Sequence, residues 1–365
     1  MLYVRDLALE LQRQGHTPVV FSSTRGHVVE EMRAAGIEVS DRPGRLRHTP
    51  DVIHGHHYAP TLVALRRWPT VPAIHVCHDH ASPNDKTPIH PNIRRHFGVS
   101  RACARRLVDD GVPEGDTALM LNFVDTARFS PRATLPERAR RALVFSNYAH
   151  EDTHLPAIVD ACRQAGLELD VTGAGVGRIA TSPERLLGGY EIVFAKAKAA
   201  IEAMAVGTAV ILCDSGGVGP MVTSAEFDAL RPLNFGFEAF RDPLRPGPLL
   251  REIARYDPED AARVRDLLRS RAGLSAAVES LVSTYHEAIS EHRRLRSNAR
   301  GPERSALREA LFLRLYWRWM AVGPERRAEL TRLPAVQLIK RAVRRLLRQT
   351  GSIGPDREHR YDSQR

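Results

Sequence analysis

The sequence predicts an α/β protein built from two doubly wound parallel-sheet domains that face each other across a cleft. Two patterns carry that prediction. Short apolar runs that are continuous rather than alternating recur between helical periodicities, which marks strands buried on both faces and covered by helices. The alternation breaks once, at the polar, proline-bearing stretch "SPRATLPERARR", and then starts again. A chain of 365 residues is long enough for two such cores.

Residues 1–130 make the first unit. Its apolar runs are "TPVVFSS", "DVIHGHH", "PAIHVCHD", "HFGVS" and "TALMLNFVD", with helical patterns at "VVEEMRAAG", "PTLVALRRW" and "RACARRLVDDG". Ser100 is placed to cap the last of these helices and Gly111 to end it. Residues 131–141 read as a linker. Residues 142–272 repeat the alternation through "ALVFSNY", "LPAIVDACRQAG", "LELDVTGAG", "YEIVFA", "KAKAAIEAMAVG" and "TAVILCD". Ligands of such sheets sit at the carboxyl ends of the strands, so two facing units place a ligand between them. The chain opens directly in a helical pattern, "MLYVRDLALELQRQGH", although a doubly wound domain normally begins with a strand. The expectation is that a first strand and its loop, about 10 to 20 residues, are missing ahead of it.

Charge is unevenly spread. Residues 291–365 carry 19 Lys/Arg against 8 Asp/Glu, which leaves 34 basic and 35 acidic residues for the body. The net charge of +10 therefore belongs to the tail and gives no reason to expect nucleic-acid binding by the body. Within residues 292–365, "ERSALREALFLRLYWRWM" and "AVQLIKRAVRRLLR" are basic and amphipathic, with aromatics suited to an anionic membrane surface; packing on a protein surface is the alternative. Cys77, Cys103, Cys162 and Cys213 are far apart in sequence, with neither a disulfide framework nor zinc spacing, which fits a reducing, cytoplasmic setting. No apolar stretch reaches the ~18 to 20 residues of a membrane span.

Five segments, in order, resemble the family-4 retaining glycosyltransferases of the two-Rossmann GT-B fold, over roughly residues 1–290. They are "LALELQRQGHTPVVFSS", "PDVIHGHH", "GVSRACARRLVDDGVPEGDTALMLNFVDTARFSP", "EAMAVGTAVILCDSGG" and "LSAAVESLVSTYHEAISEH". The last is similar to the helix that crosses back to the first domain, here 273–291. The resemblance implies transfer of a sugar from a nucleotide-diphosphate donor to an acceptor hydroxyl with retention, and no metal or other cofactor. It also implies a cytoplasmic enzyme of polysaccharide, glycolipid or glycoconjugate synthesis, and the basic amphipathic tail adds the expectation of peripheral attachment to the inner membrane face.

The resemblance extends to particular residues. His78 matches a histidine at the end of a first-domain strand that touches the donor sugar, and Asp79 beside it is a candidate acceptor contact. Glu202 matches the second of two glutamates eight positions apart, the one that holds the nucleotide ribose; a carboxylate can accept from two vicinal hydroxyls. The first glutamate falls on Phe194 and is absent. So is the Arg/Lys pair that neutralises the diphosphate. Lys196, and more weakly Lys198, are the replacement candidates, because a helix N-terminus already favours an anion. Gly216 and Gly217 resemble a pair whose amides approach the donor, unless they form an ordinary strand-to-helix turn, and Gly173 and Gly175 are candidates to line the cleft. "HVCHDH" has metal-ligand residue types, but the resemblance speaks against a metal. Two other readings stay open: a degenerate binding or scaffold protein, favoured by the missing groups, and a nicotinamide oxidoreductase, disfavoured by the lack of an early GxGxxG.

Overall fold

In the computed structural model, residues 2–22 and 26–298 are described. The first domain opens with helix α1 (Leu2–Arg13), then β1 (Val19–Phe21), α2 (His27–Ala34) and β2 (Glu38–Ser40), with β1 and β2 paired in parallel. There follow β3 (Ile53–Gly55), α3 (Tyr58–Arg67), β4 (Ala73–Cys77), β5 (Ile93–Gly98), α4 (Arg101–Asp109) and β6 (Thr117–Leu119). These strands form a second parallel sheet in the order β3-β4-β5-β6. The domain thus carries two sheets where the sequence suggested one, because residues 41–52, with Pro43, Gly44 and Pro50, form no ladder between β2 and β3. Ser100 caps α4 by accepting from the Cys103 amide at 3.3 Å, and Gly111 follows α4 with a left-handed φ of 103°.

The second domain contains β7 (Arg141–Phe145), α5 (Leu155–Ala165), β8 (Glu168–Thr172), α6 (Pro183–Leu187), β9 (Ile192–Ala195), α7 (Ala197–Val206), β10 (Ala209–Asp214) and β11 (Gly217–Met221). Helices α8 (Phe227–Leu230), α9 (Pro246–Ile253) and α10 (Pro258–Arg271) complete it. Its sheet runs β11-β10-β9-β7-β8, parallel except for β11 against β10. The continuous apolar runs are explained by two cores. Ile192, Phe194, Ala209 and Ile211 pack into the core on one face, while Val193, Ala195, Val210 and Leu212 pack into the other. Each such large side chain contributes about 1.5–3 kcal/mol by leaving water.

The strand order places a topological switch between β7 and β9, since β8 lies on one side of β7 and β9 on the other. At the carboxyl ends of those strands a ligand crevice is expected. Helix α11 (Leu274–Asn298) returns to the first domain: Leu274, Val278, Leu281 and Ala288 share a core with Tyr3, Leu7, Ile74 and Val76. It is held at the crossing point by Val124, whose amide donates to Ala272 O at 2.8 Å and whose carbonyl accepts from Leu274 N at 2.9 Å. The helix runs seven residues past the expected end of the crossover. The amphipathic segments of the tail lie outside the described residues. All four cysteines are free and buried. Among the described residues no helix is long and apolar enough to cross a membrane.

Candidate active site

On the first domain, histidines gather where β3 and β4 end. His78 follows β4, and its Nε2 lies 3.0 Å from Nδ1 of His56, which follows β3. Tyr3 of α1 sets its ring edge-on to both, at 5.4 Å and 4.9 Å between centroids. The His54 ring stacks on His56 at 4.3 Å, and its Nδ1 lies 2.7 Å from the Tyr285 hydroxyl of α11. Burial keeps these rings neutral. It lowers His54 to about 3, helped by His78, and His78 to about 4 against the opposing charge of Asp85. His56 is lowered by burial and then by its histidine neighbours. Asp85 fixes the segment by accepting from the His78 amide at 3.2 Å.

Asp79 is exposed but turned to its own loop, where Oδ1 accepts from the amides of Ala81 at 2.7 Å and Ser82 at 3.0 Å. That is a turn-stabilising arrangement, which leaves Oδ2 for any acceptor contact. The next residue, His80, stacks on Phe237 of the second domain at 3.8 Å. Glu238 then accepts from the Ala102 amide at the start of α4, at 2.8 Å, and pairs with Arg105. The two domains therefore touch directly beside His78 and Asp79.

On the second domain, β9 passes into α7 through Lys196 alone, which occupies the N-cap of the helix. Phe194, where the resemblance places the first glutamate, is a strand residue, 1% exposed. The entry is strained. Ala197 has φ 50° and donates its amide to Phe235 O at 2.9 Å, and Phe235 itself has φ 50°. Left-handed residues other than glycine cost about 1 kcal/mol or more each and persist where the surroundings enforce them, commonly at functional sites.

Lys196 pairs with Asp214 at the end of β10, and its Nζ lies 5.4 Å from the ring centre of the exposed Tyr148, which follows β7. Lys196 and Tyr148 thus flank the switch between β7 and β9. His154 Nδ1 is 3.4 Å from Asp214 Oδ1, both buried and neither in a hydrogen bond. Burial lowers His154, against Asp214.

Lys198 is committed elsewhere, reaching Asp6 of α1 at 2.9 Å and Glu202 at 3.5 Å. Glu202 is buried, 6% exposed, and burial raises its pKa while Lys198 opposes the rise. The carboxylate matched to the ribose is therefore already engaged, and Lys198 spans from the second domain to the first.

The glycines divide. Gly173 and Gly175 are required by close packing within the protein: a Cβ would meet Ser146 O at 1.9 Å and Ala149 O at 2.4 Å. Their small size is thus explained without a ligand. Gly216 and Gly217 do not form a strand-to-helix turn; they join β10 to the antiparallel β11 in a hairpin, with φ 145° at Gly217. Gly216 is exposed beside Asp214. Among the described residues no three His, Cys, Asp or Glu side chains are arranged to hold a metal ion.

Asp214, His154, His56 and Tyr148 were not identified from the sequence as site residues. Asp214 had a usable signal, since it ends a wholly buried strand directly before the glycine pair. The others owe their positions to loops and to contacts between distant segments.

Residues 43–128 match the model of Glycosyltransferase Family 4. That segment contains the histidine cluster and stops short of Lys196 and Glu202. No curated protein sequence matches the chain. Among solved structures, a glycosyltransferase from Rickettsia africae is similar at a TM-score of 0.55 and 14% identity, over 79% of this chain and 94% of that one. Alr3699/HepE of Anabaena, in complex with UDP and glucose, gives a TM-score of 0.56 at 13% identity, over 78% and 94%. Sucrose-phosphate synthase of Thermosynechococcus elongatus gives 0.52 at 16%, over 80% and 93%. These likenesses show the shared GT-B fold. The match to the family-4 glycosyltransferase model thus covers residues 43–128 of a chain that has the GT-B fold.

Proposed function

We propose that the protein transfers a sugar from a nucleotide-diphosphate donor to an acceptor hydroxyl with retention at the anomeric carbon. The observation that carries the reading is the family-4 match on the β3–β6 segment, facing a second domain whose switch point holds a cation at a helix N-terminus. In this reading the α7 amides and Lys196 take the charge of the departing diphosphate, a task that needs neither a metal nor another cofactor. Glu202 turns from Lys198 to the ribose hydroxyls. His78, neutral, holds a sugar hydroxyl, and Asp79 contacts the acceptor through Oδ2. The complex of Alr3699/HepE with UDP and glucose supports a nucleotide sugar as donor. The basic tail then holds the enzyme at an anionic membrane surface on the cytoplasmic side, with a glycolipid, polysaccharide or glycoconjugate as product.

The engaged state of Lys196, Lys198 and Glu202 favours a second reading, a binding or scaffold protein that has lost its donor. Thermal stabilisation by UDP, GDP, ADP and their sugar conjugates separates the two. A bound ligand at 100 times its Kd adds about 2.7 kcal/mol, and stabilisation by one nucleotide series supports the transferase. No stabilisation by any of them leaves the scaffold. Sedimentation with anionic liposomes, with and without residues 300–365, tests the membrane role; equal sedimentation ends it.

A further inference from the structure

We infer that His56 is a positioning residue for His78: the hydrogen bond between their rings holds Nε2 of His78 inside the protein and so decides which nitrogen His78 presents to the cleft. The inference rests on the proposed role of His78 for its functional meaning, but its geometry stands apart from that role. Nδ1 of His56 and Nε2 of His78 are 3.0 Å apart. Two neutral imidazoles at that distance share one hydrogen, so one ring donates and the other accepts. Nε2 of His78 is therefore spent inside the protein, and Nδ1 is the nitrogen left for a ligand.

His56 can perform this task because its own ring is held. It is stacked on His54 with an interplanar angle of 25°, and Tyr3 meets it edge-on at 69°. His54 is tied in turn to Tyr285. The ends of β3 and β4 and helix α1 thus meet at the His56 ring, and helix α11 supports it through His54. The contact between His54 and His56 is ring stacking, so the array is a support for His78 and not a proton wire to Tyr285. The titratable groups around His56 are His54 and His57 from its own segment, His75 and His78 from β4, and Tyr3 from α1, with Asp85 beside His57 at 3.4 Å. A ring free to flip would show a hydroxyl two orientations; the paired ring shows one, with its tautomer tied to that of His56.

The test reads the His78 ring nitrogens by 15N NMR in the full chain. His56→Phe keeps the stack on His54 and the contact with Tyr3 but removes the hydrogen bond, and His56→Asn puts an amide near the place of Nδ1. A hydrogen-bonded Nε2 signal of His78 is expected in the wild type, its loss in His56→Phe, and its return in His56→Asn. Affinity for a nucleotide sugar should fall about 3- to 10-fold in His56→Phe, the worth of one hydrogen bond, and recover in His56→Asn. A wild-type His78 Nε2 without a hydrogen-bonded signal, or His78 signals unchanged in His56→Phe, overturns the inference. If the signals move as expected while the wild type binds no nucleotide or nucleotide sugar, the transferase reading fails and the positioning of His78 by His56 remains.

Discussion

The ends of β3 and β4 present rings that burial keeps uncharged, whereas the ends of β9 and β10 present ions held in pairs. The difference bears on what each wall can do. A neutral, mutually braced cluster is ready to hold a hydroxyl by direction alone, without rearrangement. The opposite wall must exchange partners before it can take a diphosphate or a ribose, because Lys196 is on Asp214 and Lys198 is between Asp6 and Glu202. Only the neutral wall lies within the family-4 match.

The largest expected effect is of acid on the neutral wall. His54 and His78 have folded pKa values of about 3 and about 4, below the 6.5 of an exposed ring. Between those values and 6.5 the unfolded chain binds more protons, so stability falls as the pH drops from 6.5 toward 4. Each ring contributes up to about 1.4 kcal/mol per pH unit to that slope, several kcal/mol in all. Glu202 has the opposite sign, because its raised pKa means that acid relieves its burial cost. Denaturant midpoints at pH 7, 5.5 and 4.5 read the balance; a flat profile would contradict the buried neutral rings.

Next comes the loop that carries Tyr148. Gly173 has φ 152° and ψ 170°, a region nearly confined to glycine, and a Cβ there would overlap Ser146 O. Gly173→Ala should cost about 4 kcal/mol, from backbone strain and overpacking together. Gly216→Ala places its Cβ an ordinary 3.7 Å from Phe240 and should change stability by less than about 0.5 kcal/mol. Similar melting temperatures for the two variants would refute this division of the glycines.

The fold was legible because each buried strand writes its two-faced burial as an unbroken apolar run, as Ile192 to Ala195 and Ala209 to Cys213 do. The caps at Ser100 and Gly111 were legible for a similar reason, since they act within one turn of their own position. The site was harder to read. Phe194 falls where the resemblance places a glutamate, and it is a buried strand residue one position before β9 ends. Asp6 and Lys198 are 192 positions apart, and no local pattern foretells their contact. Glycines 173 and 175 read as ligand-lining from composition, whereas the requirement comes from the carbonyls of the neighbouring loop.

The clasp between the domains gives the third prediction. Lys198→Met leaves Glu202 buried without its cation and should cost about 3 kcal/mol at neutral pH, the usual penalty for removing one member of a buried pair. Asp6 keeps Arg5, at 2.6 Å, so the loss centres on Glu202. The deficit should shrink on acidification and be largely restored by Glu202→Gln in the same chain. If the second substitution restores nothing, Lys198 stabilises through Asp6 or by packing on the Phe123 ring, 5.6 Å from its ammonium.

The smallest effect is on binding and concerns the charge at the switch point. Lys196→Ala should weaken a nucleoside diphosphate by about 10- to 100-fold, the worth of a hydrogen bond from a charged donor, and leave the parent nucleoside nearly unchanged. Part of that loss has a different origin, since Asp214 would then face the phosphates without its counter-ion. Asp214→Asn added to Lys196→Ala removes that repulsion and should recover some affinity for the diphosphate. Calorimetric titration of both variants with diphosphate and nucleoside separates the terms. Equal losses for the two ligands would show that Lys196 shapes the crevice and does not meet the phosphates, and the cation for the leaving group would have to be sought among other residues.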